Sequence, residues 1–508
     1  TIVGMRVYDP LASQFKNYQY EASQETNYYI TEDVVEDPNT GILYMNVFSG
    51  DGLYAFDKAK ESWSIIPPPP DYKRGSFFGR CSIWSKRDNR LLILSPGQIY
   101  TLSPDKKSMV PIKSKVNLAN RDRWFNFFED HLGKLWLVGE ENGLVRIDIH
   151  TGEIDTLNQY MPKCTEARFR VAFYQDRMLN VWLSGCNGHM VYSYEKDKFY
   201  TFTYKEGQEN TNTFFRIRGF QEDDQGQIWL TSDDTELGIA YPENPEKGVI
   251  KKFPLKEWIL SDSTKIRKNI GTEVNWLAEV IKDDAGNLWL LSQAGLIKFN
   301  PTTFAIEVYD QDDGLQIFDE DLKVHTLNEL TRLSDGTLIV GFRKGLGMVN
   351  PDELKLNDET PKTYVTAFYV YNKPKLTESN LYYTSEINLR HDENFFSIEF
   401  SSINFTNPDK SKYQFKLEGV DKDWIEAGNR NYASYTNIDG GSYIFKVKAA
   451  NSDGIWNEKP YELKIIVATP WWKTLWFRTA LFLIFVGLVY LMYRYRVGQI
   501  RKEERMKA

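Results

Sequence analysis

The stretch FNFFEDHLGKLWLVGEENGLVRIDIHTGEIDTL, from Phe125 to Leu157, decides the fold. It holds an apolar strand, a turn at Asp130, a second strand carrying Trp136, a Gly turn, a third strand and a short fourth. The pattern returns at spacings of roughly 45 to 60 residues. It reads VAFYQDRMLNVWLSGCNGHMVYSYEKDKFYTF from Val171, IRGFQEDDQGQIWLTSDD from Ile217 and LAEVIKDDAGNLWLLSQAGLIKFNPTTFAIEVY from Leu277. Weaker copies begin at Val34, Ile83 and Leu330. Four short strands per repeat of this length is the period of a β-propeller blade. One four-stranded sheet cannot bury both of its faces alone, whereas a ring of them can. The copies number about seven, so residues 1–357 are expected to form an all-β, about seven-bladed propeller.

The repeated acids Asp130, Asp176, Asp223, Asp283 and Asp335 fall between the first two strands of their copies. Asp there caps backbone N–H groups, and the expectation is a structural role rather than catalysis. The repeated Trp136, Trp182, Trp229 and Trp289 are expected in the core between blades. GMRVYDP from Gly4 matches GLIKFNP from Gly295, so the chain opens in mid-blade, and the last copy runs out after Pro351. Two readings stay open. Residues near Phe15 to Tyr20 close the ring by supplying the missing strand, or the opening fragment is the tail of a blade further upstream.

Composition narrows the function. Aromatic residues make up 15 % of the chain, which suits strands, and the net charge of −8 disfavours a nucleic-acid surface. Cys81, Cys164 and Cys186 lie far apart with no CxxC pair, against a zinc site or a disulfide framework; free buried thiols are expected, with a single bridge as the alternative. The chain begins at Thr1 without a charged-then-apolar leader, which fits a removed signal peptide or a longer parent chain.

After about Pro361 the period changes. FFSIEFSSINF, YQFKLEG and YIFKVKAANSDG alternate as strands, with NPDKS and DGGS as turns, and predict an immunoglobulin-like antiparallel β-sandwich over residues 361–468. Tyr413, Trp424, Tyr435, Tyr443 and Trp456 punctuate it and are expected in its core.

Here the residues carry a family resemblance. Blades of the form EDxxGxLWLxxxxGL, followed by YQFKLEGVDKDWIEAG, YTNIDGGSYIFKVKAANSDGIWNE and TPWWKTLW, resemble the extracytoplasmic sensor region of Bacteroidetes hybrid two-component systems. In that family regulatory propeller repeats precede a triple-tyrosine (Y_Y_Y) domain, matched here by Tyr413, Tyr435 and Tyr443. The resemblance implies a sensor histidine kinase that detects oligosaccharides released from polysaccharides and signals to transcription of genes for their use. Family members often carry two propellers where this sequence holds about one, and the kinase, receiver and DNA-binding parts are not in it.

The stretch LFLIFVGLVYLMYRYR, from Leu481, is the most apolar in the chain. Fifteen uncharged residues lie between Arg478 and Arg494, about 22 Å of helix, and Leu475, Trp476 and Phe477 lengthen the apolar run. Trp471, Trp472 and Trp476 on one side, with Tyr490, Tyr493 and Tyr495 towards the other, form interfacial belts. A buried core helix is the competing reading. We expect a single transmembrane helix over residues 474–495 and the start of a cytoplasmic linker over 496–508. Arg494, Arg496, Arg501, Lys502, Arg505 and Lys507 follow the span, whereas Lys473 and Arg478 precede it. The positive-inside rule then puts the C-terminus in the cytoplasm and the propeller and sandwich in the periplasm, anchored in the inner membrane.

No phosphate loop, H-E-x-x-H motif or nucleophile elbow is present, and none of the five histidines follows the span. No catalytic residue, metal site or cofactor is expected in this fragment, and no nucleic-acid contact. The expected partners are an oligosaccharide, the membrane and a second copy in a homodimer. The ligand site is placed just ahead of each blade's first strand, where Arg123, Trp124, Arg170, Arg216 and Trp276 recur in the repeat register. Trp stacks on sugar faces and Arg forks onto hydroxyls or a uronate carboxylate. The competing readings are a membrane-anchored propeller lyase or hydrolase, and the sensor part of a membrane-bound transcriptional regulator or cyclase.

Overall fold

Short apolar strands joined by tight turns build the first unit, Thr1–Leu356. In this computed structural model the described residues are 14–20, 30–48, 52–69, 81–95, 98–112, 124–139, 143–160, 171–185, 188–202, 217–232, 236–244, 249–255, 276–293, 295–316, 318–319, 324–325, 329–355, 359–375, 384–403, 411–451 and 454–507. Among them the unit contains seven four-stranded sheets, the blades. Blade 1 runs Ile30–Glu36, Ile42–Phe48, Leu53–Asp57 and Ser62–Ile66. Blade 2 starts at Cys81–Ser85, blade 3 at Trp124–Glu129, blade 4 at Ala172–Gln175, blade 5 at Ile217–Glu222, blade 6 at Leu277–Lys282 and blade 7 at Glu329–Arg332. Each first strand touches the first strand of the next blade, and that of blade 7 touches that of blade 1. The ring is closed.

Blade 7 takes its fourth strand from the far end of the sequence. Lys16–Gln19 pairs antiparallel with Gly345–Val349, with Lys16 opposite Met348 and Gln19 opposite Gly345. Gln14 adds a side-chain bond to the Lys355 carbonyl at 3.0 Å, and Asn17 one to the Gly314 carbonyl at 2.7 Å. Of the two readings left open by the sequence, the first holds for residues 16–19. The GMRVYDP segment lies outside the described residues.

Second strands carry the core. Trp136, Trp182, Trp229 and Trp289 are all at most 1 % exposed. Trp136 packs on Val171, Val181 and Leu183 of blade 4, and Trp229 on Leu277, Val280 and Leu288 of blade 6. The tryptophans are therefore mortar between blades, each large indole removing apolar area from water on both neighbouring sheets.

The second unit, Asn357–Ala508, contains the sandwich and a long helix. One sheet has four strands, built on Thr363–Val370 and Phe396–Ser402; the other has five, built on Lys412–Glu418, Gly441–Ala450 and Tyr461–Val467. Side chains alternate as a half-buried sheet requires. Tyr413, Phe415 and Leu417 point inward from Lys412–Glu418 and meet Phe400, Phe445 and Val447. The sequence expectation of a purely antiparallel sandwich is corrected at one edge, where Glu386–Leu389 pairs parallel with Tyr461–Val467. Parallel pairing needs a long crossover, and here most of the sandwich forms it.

Pro470 precedes a single 3-10 turn, Trp471–Lys473, and the helix Leu475–Lys507 follows. Thirty-three residues span about 50 Å, and the helix runs unbroken through Gly498. Its apolar stretch is long enough to cross a membrane and none of that stretch is buried against the protein. A helix apolar on every side and covered by nothing in its own chain has the character of a membrane span.

Candidate functional site

Alternating antiparallel strands give a propeller two rims. One carries the turns between first and second strands and between third and fourth strands. The other carries the links from blade to blade and the turns between second and third strands. Of the five candidate residues, Trp124 and Trp276 are described, and both stand at the second rim. Trp124 opens the first strand of blade 3, where the pairing with the second strand is irregular between Trp124 and Asn126. Trp276 stands directly ahead of Leu277–Lys282 and is half-buried. Arg123, Arg170 and Arg216 lie outside the described residues.

On the first rim the repeated carboxylates are fully occupied with structure. Asp223 Oδ1 accepts the backbone N–H groups of Gln225 and Gln227 at 2.9 and 2.8 Å, while Oδ2 accepts the Trp229 indole N–H at 2.8 Å. Asp130, Asp176 and Asp283 accept the indoles of Trp136, Trp182 and Trp289 at 2.7, 2.7 and 2.8 Å. One side chain thus closes the turn and satisfies a buried donor six residues on. Burial holds the Asp176 carboxyl above its usual range, against the opposing bonds from Trp182 and Asn180.

Asp335 lies in the expected turn of blade 7 and caps it by accepting the Thr337 N–H at 3.0 Å, though from a different position. The place corresponding to Asp223 in blade 7 belongs to Leu333, which is buried, and the place of the Trp belongs to Ile339. Asp335 stands two residues on, exposed, and pairs with Lys58 at 3.2 Å. In blade 7 the indole donor and the buried acceptor are absent together, whereas in blade 1 the buried Asp37 keeps its place by accepting from Thr40, Asn39 and Lys106 instead.

Sequence reading missed a second repeat on this rim. The residue before each capping position reaches back to the residue after the capping position of the preceding blade. Glu129 accepts the Lys86 N–H, Gln175 that of His131, Glu222 that of Arg177 and Glu36 that of Ser334, at 2.6 to 2.9 Å. Blades 6 and 7 carry cations there, and Lys282 and Arg332 pair with Asp224 and Asp284 instead. At blade 2 the residue is Trp84, and the preceding position is Pro38, which has no N–H to offer. The signal lay in the aligned copies: a cation just before the capping position goes with a doubled Asp in the copy before it.

Near the ring's inner strands lies a further polar set. Asp33 accepts the Ser82 N–H at 2.7 Å, Glu279 accepts that of Leu330 at 2.6 Å, and Asn126 donates to the Val171 carbonyl at 2.6 Å. Each bond crosses from one blade to the next. Cys81 is a free buried thiol, pushed well up by burial and then by the Asp33 charge. Among the described residues no group of His, Cys, Asp and Glu is placed to hold a metal ion.

The three motif tyrosines of the sandwich serve its packing. The Tyr413 hydroxyl accepts the Ser402 N–H at 3.2 Å, Tyr435 donates to Asp421 at 2.7 Å, and Tyr443 donates to the Asp439 carbonyl at 3.0 Å. Asp421 also accepts the Leu417 N–H, so Tyr435 ties two segments through one carboxylate. Trp424 and Trp456 sit on the outer face, not in the core, with the Lys448 ammonium between them at 4.9 and 5.4 Å from the ring centres.

Comparison with known proteins gives three findings. Residues 404–468 match the Y_Y_Y domain family. Over 213 residues, 41 % of this chain, the sequence is 32 % identical to histidine kinase P4 of Formosa agariphila, and covers 15 % of that protein. The fold is similar, with a TM-score of 0.67 and 19 % identity, to the extracellular domain of a putative hybrid two-component system from B. thetaiotaomicron, over 90 % of this chain and 57 % of that one. The chain therefore carries a Y_Y_Y domain behind a β-propeller, and is similar in sequence to a histidine kinase and in fold to the extracellular domain of a two-component sensor.

Proposed function

We propose that this chain is the extracytoplasmic sensing region and membrane span of a hybrid two-component sensor histidine kinase. Its ligand is an oligosaccharide from polysaccharide breakdown, and its output is transcription of genes for glycan use. The observation that carries the reading is the order of parts: propeller, Y_Y_Y sandwich and one uncovered apolar helix, in a chain similar to a histidine kinase. The arginines and lysines after Tyr493 support a cytoplasmic C-terminus and a periplasmic propeller. Protease added outside spheroplasts then degrades the propeller; attack confined to the residues after Arg494 contradicts that orientation.

The ligand rim is assigned to Arg123, Trp124, Arg170, Arg216 and Trp276, where planar guanidinium and indole groups suit hydroxyl and sugar-face contacts. The first rim supports binding less, because its carboxylates already hold their turns. Calorimetry across an oligosaccharide panel tests the assignment. For a glycan that binds, Trp124→Ala and Arg170→Ala each weaken binding by at least about 1.4 kcal/mol, a tenfold change. Normal binding by both folded variants misplaces the site. Product formation on prolonged incubation would instead favour the lyase or hydrolase reading.

A further inference from the structure

The joint between sandwich and helix is built more firmly than a linker needs to be. The Ala468 N–H donates to the Leu389 carbonyl at 2.9 Å, holding the last sandwich residue against the loop after Glu386–Leu389. From that same loop the His391 ring meets Trp472, centres 5.1 Å apart. From the loop before Gly441–Ala450, Asp439 pairs with Lys473 at 2.7 Å. Between these contacts the chain passes Gly440 so closely that a Cβ there would meet Thr469 Cα at 2.6 Å and its N at 3.0 Å. Beyond the grip, the Thr474 N–H donates to the Trp471 carbonyl and the Arg478 N–H to the Thr474 carbonyl, so the turn feeds straight into the helix.

We propose that residues 389–392 and 439–440 form a clamp that fixes the direction in which the helix leaves the sandwich, with the Lys473–Asp439 pair as its releasable element. The contacts divide into two kinds. The approach of Gly440 to Thr469 is backbone against backbone and has no rotamer to yield, so any side chain at 440 pushes the connector off. The ion pair is open to solvent, its side chains 48 % and 78 % exposed, and exposed pairs are weak and screened by salt. A firm steric seat with a weak electrostatic latch is what a joint with two accessible arrangements requires. The clamp rests on the sensing proposal only for the direction of signalling. Its geometry is tested without any ligand, so its failure is separate from failure of that reading.

The test is a distance measurement between spin labels at Lys422→Cys and Leu475→Cys, in the whole chain in lipid nanodiscs, with Cys81, Cys164 and Cys186 replaced by Ala. The clamp requires one narrow distribution in this parent. Gly440→Val should shift or broaden it, and Lys473→Ala should broaden it less, as should high salt in the parent. Gly498→Ala, where a Cβ meets nothing within 4 Å and the backbone is ordinary helix, should leave it unchanged. A broad distribution in the parent, or the parent's distribution retained by both Gly440→Val and Lys473→Ala, overturns the clamp. A change in Gly440→Val with none in Lys473→Ala or high salt overturns the latch. If Gly440→Val fails to fold, Lys473→Ala and the salt arm still decide.

Discussion

At the scale of single residues the propeller rests on a paired choice. Asp and Trp occur together in blades 3 to 6, six residues apart, and blade 7 replaces the pair with Leu333 and Ile339. Removing one member strands the other in the core. We predict that Asp223→Leu destabilises the propeller by about 2–3 kcal/mol, because the Trp229 indole and the Gln225 and Gln227 N–H groups lose this acceptor. Adding Trp229→Ile should make the double variant less destabilised than the two single losses summed, following the pairing of blade 7. Urea unfolding followed for the four proteins checks this; strict additivity would mean the bond is incidental.

Asp148 gives a pH dependence. Its carboxylate accepts the His150 and Thr151 N–H groups and faces Arg87 at 3.1 Å. Burial opposes ionisation, but those bonds and the guanidinium outweigh it, and the carboxyl is lowered from 3.8 to about 2. A depressed folded value means the native state holds the proton less tightly than the unfolded chain. The stabilisation is therefore complete above about pH 4 and is lost as pH falls towards 2. Asp148→Asn should unfold with a shallower acid dependence in that window than the parent, and equal slopes would show that Asp148 does not contribute.

At the scale of elements the decisive feature is the fourth strand of blade 7. Its partners are over three hundred residues apart in sequence, so the ring closes only when the chain's beginning finds its end. Asn17 and Gly347 face each other in the ladder, which makes Asn17→Cys with Gly347→Cys a suitable cross-link. An oxidised disulfide should form and raise stability by about 2–4 kcal/mol over the reduced form. Failure to cross-link in the folded protein would show that another segment completes blade 7.

Much of this level was legible from the residues. The period gave the blades because each copy carries its own strands, turn and indole. The closing strand was legible only as one of two options, since KNYQ is polar and its strand character comes from the Gly345–Val349 edge it covers. The parallel edge of the sandwich was not legible, because Glu386–Leu389 alternates identically in either orientation. The contacts between blades on the first rim were missed for a related reason: they join equivalent positions of adjacent copies, and a repeat read one copy at a time does not display them. The candidate ligand residues were named from register alone, and three of the five lie outside the described residues.

At the scale of the whole molecule, we propose a relay in which ligand at the propeller acts through the sandwich on one apolar helix. A single helix has little means of changing its own shape, so we propose that the message is carried by how two such helices are arranged in a dimer. The connector from Ala468 to Thr474 is short, is restricted at Pro470 and is held by Asp439 and His391. Movement of the sandwich should therefore reach the helix with little slack. The most direct test is to insert several Gly-Ser residues after Ala468 in the full-length receptor, and to measure glycan binding and the transcriptional response together. Binding should survive while the response collapses. An undiminished response at normal binding would contradict the relay, because the sandwich would then not be driving the helix.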